Sequence, residues 1–211
     1  MRRPAASMDD TAAQIWPEVM VTAHRKLPRG SVDEWLYRAV YDVMRKLADG
    51  HGLERATSGL ATGGDTVWGQ VAMAQQRSLR AAIPYPDQPL DGTDGHFGPR
   101  WTKQQQADWQ RLRQYAEDTG GAELVSAHNP RSFNERVALL HARNDWMLER
   151  TQAVVAIWAP ANLRSGTGNC LRKAAGVGKP IILVNLANQR VTRPLPHHWA
   201  RYLNMPTLSR T

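Results

Sequence analysis

The run Ala153-Val-Val-Ala-Ile-Trp158 is apolar at every position, without alternation. A strand with one wet face would alternate, so this run belongs at the centre of a parallel sheet covered on both sides. That requirement calls for helices above and below the sheet and for crossover connections between strands. The rest of the chain supplies them. Strand-like runs at residues 18–24, 55–59, 80–85, 123–128 and 180–185 alternate with helical segments. Ser31 with Glu34, Thr102 with Gln105 and Ser132 with Glu135 mark helix starts, each a hydroxyl three residues ahead of Glu or Gln. Val32, Leu36, Val40, Val43 and Leu47 then recur at helical spacing, and Gly50 and Gly52 close that helix. Further helices are predicted over about 66–79, 102–119, 132–150 and 166–177. Six strands and five helices make an α/β, Rossmann-like three-layer fold with a mostly parallel sheet.

Residues 15–188 form this one domain, flanked by a mobile N-terminal tail (1–14) and a Pro- and Arg-rich C-terminal tail (189–211) without periodicity. The connection 86–101, rich in Pro, Gly and Asp, is long for a compact domain and is expected to act as a lid. No apolar run reaches membrane-span length, and Met1 to Pro4 do not lead into the apolar core of a secretory signal. The single cysteine, Cys170, forms no internal disulfide, so the expected location is the cytoplasm, with no membrane partner. The net charge of +8 favours anionic ligands. The basic residues are dispersed, with no run of five, so nucleic acid is not the favoured partner.

Sheets of this kind bind ligands beyond the carboxyl ends of their strands, so the residues just after each strand are the candidates. The first strand ends in Thr22, His24 and Arg25, which either reach over the sheet edge or form a solvated turn. After the second strand, Ser58-Gly59-Leu-Ala-Thr-Gly63-Gly64-Asp65 holds three glycines that let a ligand approach backbone N–H groups. Asp65 stands where a helix N-cap belongs; it caps, or it holds a ribose hydroxyl or acts as a base. Arg143 and Asn144 lie in the fourth helix, where Arg136, Leu139 or Leu140, Arg143 and Met147 share a face. An arginine there needs a partner, either a structural carboxylate or a ligand phosphate. After the fifth strand, Ser165-Gly166-Thr167-Gly168-Asn169 opens a helix whose free N–H groups and dipole favour an anion. Cys170 falls in that helix's first turn, where the dipole would lower its pKa unless the thiol is buried. Neither Gly-x-Gly-x-x-Gly nor a Walker loop is present, which disfavours a dinucleotide dehydrogenase or ATPase. The histidines, His197-His198 included, show no metal-ligand spacing, and no metal is expected.

Six segments keep their order along the chain: Val21-Thr-Ala-His-Arg25; Ser58-Gly-Leu-Ala61; Gly64-Asp-Thr-Val-Trp68; Pro84-Tyr85 with Gln88; Arg143-Asn-Asp-Trp-Met147; and Gly166-Thr-Gly-Asn-Cys170. Together they resemble the SLOG superfamily, the Rossmann-like group that contains DprA and the LOG phosphoribohydrolases. Within it the chain looks most similar to the YspA/YpsA-like branch of bacteria and phages. The resemblance spans about 19–185 and implies a nucleotide-like ligand and a homodimer. LOG enzymes cleave the N-glycosidic bond of nucleoside monophosphates with an arginine ahead of a Pro-Gly-Gly-x-Gly-Thr-x-x-Glu motif. Arg143 resembles that arginine, but Cys170 stands where the glutamate would fall.

The expectation is therefore a binding module for a nucleotide or nucleotide-derived molecule such as an ADP-ribose-like signal, with no other cofactor. Two rivals stand beside it. One is a hydrolase of such a ligand, with Asp65 and Arg143 as its catalytic residues. The other is DprA-like binding of single-stranded DNA.

Overall fold

The computed structural model describes residues 14–27, 31–93, 96, 98–159 and 165–193. The tail segments 1–13 and 194–211, with His197 and His198, lie outside the described residues, as do the side chains of Ser31 and Val32. In chain order the elements are β1 (Glu18–Ala23), α1 (Ser31–His51), β2 (Arg55–Ser58), α2 (Gly64–Ala74), β3 (Ser78–Ile83), a 3-10 turn (Gln88–Leu90), α3 (Lys103–Thr119), β4 (Ala122–Leu124), α4 (Phe133–Arg150), β5 (Ala153–Trp158), α5 (Gly166–Gly176), β6 (Ile181–Asn185) and β7 (Arg190–Thr192).

One seven-stranded sheet runs β4-β3-β2-β1-β5-β6-β7, parallel throughout except for β7. From β1 the chain builds outward to β4, then α4 carries it back so that β5 pairs with the free side of β1. Right-handed crossovers force the helices onto opposite faces once the direction reverses. Accordingly α1, α2 and α3 share one core, to which β5 contributes Ala153, Val155 and Ile157. The other core joins α4 and α5 to Val154, Ala156 and Trp158. All six β5 residues are buried, as their unbroken apolar run requires.

Local departures from the sequence reading have local causes. The second helix ends at Ala74, not near 79, and β3 starts at Ser78. Gln76 takes a left-handed φ of 53°, the Gln76 N–H bonds to the Met73 carbonyl and the Arg77 N–H to that of Ala72. This is a Schellman stop with glutamine where glycine is usual, so its customary signal is missing. The fourth strand stops at Leu124, since Ser126 Oγ takes the His128 N–H and donates to the His128 carbonyl, turning the chain. Residues 190–192, placed in the tail by composition, form β7 against β6.

The connection after β3 is tied to the domain at its described residues. Tyr85 Oη donates to the Asp91 carboxylate at 2.8 and 2.9 Å. Arg136 of α4 grips Asp91 through Nε at 3.1 Å and Nη2 at 2.6 Å. Asp91 and Arg136 are both buried, so Asp91 is the structural carboxylate that a sheet-facing arginine requires.

Candidate functional site at the switch point

A sheet whose strand order reverses opens a crevice where the two directions part. Here that point lies between β1 and β5, and a cavity of about 610 Å³ occupies it. Thr22, Ala23, His24, Arg25 and Lys26 line it from the end of β1, Ala61 and Asp65 from the β2–α2 turn, and Ser165, Gly166 and Thr167 from the start of α5. From α4 come Val137, Leu140, His141, Arg143 and Asn144. Nine of the candidates read from the sequence therefore line one cavity: Thr22, His24, Arg25, Asp65, Arg143, Asn144, Ser165, Gly166 and Thr167.

Ser58, Gly59, Gly63, Gly64, Gly168 and Asn169 do not line the cavity; they build its frame. Ser58 Oγ accepts the Leu60 N–H at 3.1 Å and donates to the Asp65 carbonyl at 3.3 Å. The Gly59 carbonyl accepts from Arg143 Nη1 and from Gln88 Nε2, each at 3.2 Å. Gln88 is held in turn by Trp109 Nε1 at 3.3 Å. A Cβ on Gly59 would overlap the Arg143 guanidinium. Gly63, at φ 87°, lies against the carbonyls of His24 and Arg25, and the Gly64 N–H donates to the His24 carbonyl at 3.1 Å. These two glycines permit the close approach of α2 to the end of β1. The Gly64 N–H is spent inside the fold.

Asp65 is not the helix cap. Gly63 occupies that position without a side-chain bond, and Asp65 sits inside the first turn. The buried Asp65 carboxylate accepts the Ala61 N–H at 3.4 Å and lies 3.9 Å from Arg143 Nη1. Burial raises its pKa, and the Arg143 charge, the Ala61 and Gly59 N–H groups and Arg25 only partly oppose that.

Arg143 is largely spoken for. Besides Gly59, it reaches Asn144 Oδ1 through Nε at 3.2 Å and Nη2 at 2.8 Å. Arg25 differs. Among the described residues no carboxylate lies within ion-pair distance of it. Burial, then the charges of Arg136 and Arg143, lower its pKa to about 10. Burial also shifts His24 down and so favours the neutral ring, while a backbone hydrogen bond with Ala159 opposes that shift.

At α5, Ser165 is the N-cap, its Oγ accepting the Gly168 N–H at 3.1 Å. Gly166 is exposed, with open space where a Cβ would stand. Cys170 is buried, and that burial pushes the thiol up to about 11 despite a hydrogen bond with Thr22 and the charge of Arg143. Asn169 Nδ2 lies 3.4 Å from His141 Nε2. The sequence reading missed Val137, Leu140 and His141, although with Asn144 they stand at i, i+3, i+4 and i+7, the spacing of one helix face. Among the described residues no group of three or more His, Cys, Asp or Glu could hold a metal ion, and no helix is long and apolar enough to cross a membrane.

No protein-family model and no curated protein matches the chain. Solved structures do. DNA processing protein A (DprA) from Streptococcus pneumoniae superposes with a TM-score of 0.51 at 21% identity, covering 80% of this chain and 50% of its own. DNA processing protein A from Helicobacter pylori, described for its single-stranded DNA binding mode, gives 0.55 at 16%, covering 90% of this chain and 74% of its own. This chain therefore spans half of the pneumococcal protein's length. The likeness is one of fold: a Rossmann-like, three-layer α/β architecture with a mostly parallel sheet.

Proposed function

We propose that the switch-point cavity binds a nucleotide or a nucleotide-derived small molecule, of which an ADP-ribose-like compound is one example. The observation that carries this reading is the meeting of Arg25, Arg143 and the capped start of α5 around one cavity. A phosphate fits there because helix-start N–H groups and guanidinium forks both favour anions. Asp65, which lines the same cavity, is the group that would meet a ribose hydroxyl. The ordered motifs resemble those of the SLOG group, most nearly its YspA/YpsA-like branch, and a homodimer and a cytoplasmic location belong to the same reading. Isothermal titration at low salt with AMP, ADP and ADP-ribose tests the reading. Binding tighter than millimolar supports it, and its absence across the panel ends it.

Hydrolysis of such a ligand is the second reading, favoured by a buried carboxylate, Asp65, that lies 3.9 Å from Arg143 on the cavity wall. Burial raises the pKa of Asp65, the direction that suits a carboxyl to proton transfer. Prolonged incubation with saturating AMP or ADP-ribose, followed by chromatography of the products, decides it; unchanged nucleotide removes the enzyme reading. The fold shared with DprA brings in DNA only as a third arm. Retention of single-stranded DNA that falls steeply with salt would be its signature.

A further inference from the structure

The cavity is larger and less polar than an anion alone requires. Its 610 Å³ falls within the ~300–1,000 Å³ typical of small-molecule sites. Val137 and Leu140 of α4 add apolar surface to the lining, each only partly buried. A phosphate has no use for that wall. Gly63 and Gly64, the sequence's candidates for contact with the rest of a ligand, are sealed against the end of β1. The α4 stripe is where apolar ligand surface is left to settle.

His141 stands on the same stripe, one turn beyond Val137, and is half-buried beside α5. Its Nε2 faces Asn169 Nδ2 at 3.4 Å. An amide nitrogen only donates, so Nε2 must accept and the imidazole proton rides on Nδ1. Asn169 thereby fixes the tautomer and leaves His141 one N–H donor with no protein acceptor among the described residues. We infer that the Val137–Leu140 face of α4 takes the flat ring of the ligand, a nucleobase or similar heteroaromatic group, and that His141, oriented by Asn169, reads an acceptor on its edge. This inference rests on the nucleotide reading above and names its specificity-determining residue.

Four nucleoside 5′-monophosphates (AMP, GMP, CMP and UMP) and ribose 5-phosphate, titrated at low salt, test it. Wild-type protein is expected to prefer at least one base, and to bind that nucleotide about tenfold or more tighter than ribose 5-phosphate. His141→Ala should level the four nucleotides while ribose 5-phosphate binds as in wild type. Asn169→Asp, which can accept but not donate, should invert the tautomer and change the ranking rather than abolish it. Equal binding of ribose 5-phosphate and all four nucleotides would overturn the ring site and leave the phosphate reading standing. So would a ranking unchanged by His141→Ala. No binding of any of the five overturns the ring site, and no binding of ADP and ADP-ribose as well overturns both.

Discussion

Two glycine-rich turns, one after β2 and one after β5, look alike in sequence and are used in opposite ways. In the first, Gly59, Gly63 and Gly64 are there because a neighbour lies where a side chain would go: the Arg143 guanidinium, two carbonyls of the β1 end, and the Ala23 methyl. In the second, Gly166 faces open space and Ser165 caps the helix that follows. The first turn is a joint and the second a mouth. Glycine reports that backbone must come close to something; the sequence does not say whether that something is the protein itself or a ligand.

Substitutions can break this contrast. Gly63→Ala should be the most damaging, since it meets two carbonyls at a φ of 87°; a loss of about 3 kcal/mol or more is expected from strain and overpacking together, read by chemical denaturation. Asp65 comes next, through pH. Its raised pKa means the folded protein holds that proton more tightly than the unfolded chain does. Stability from this group is present at low pH and drains away as pH climbs out of the ordinary carboxylate range towards the raised value. Asp65→Asn should therefore gain on wild type in melting temperature between pH 4 and pH 7. A constant difference would show the carboxylate to be ordinary. Ser165→Ala removes the cap of the open turn and should cost about 1 kcal/mol. Gly166→Ala should stay within about 0.5 kcal/mol of wild type, because nothing is displaced. If Gly166→Ala destabilised as much as Gly63→Ala, the distinction between joint and mouth would collapse.

Much of the architecture was legible in the chain, for identifiable reasons. The all-apolar β5 run announced a doubly covered sheet, and the caps at Thr102 and Ser132 are formed as read. What escaped was chemistry that borrows an unexpected residue, such as Gln76 in a left-handed stop, or an edge strand as short and exposed as β7. In the site, Arg143 drew notice because an arginine among apolar neighbours needs a partner, and Asn144 entered with the motif around it. Val137 and Leu140 did not, since apolar residues on a helix read as core until the position of the cavity is known. The partner of Arg136 was unreadable for a related reason: Asp91 lies 45 positions away in an irregular connection.

The pairing of β1 with β5 also has a temporal meaning. The strands that flank the cavity belong to segments 134 positions apart, as the bond between the Glu18 N–H and Gln152 Oε1 illustrates. During synthesis β2 can join β1, β3 join β2 and β4 join β3, each soon after it emerges. The opposite edge of β1 stays unpaired until residue 157 has been added. A nascent chain halted before α4 thus has Gly63 and Gly64 against the end of β1 but neither Arg143 on Gly59 nor a pocket. It also presents an open strand edge at the middle of its future sheet, where chaperones or a second nascent chain would bind most readily.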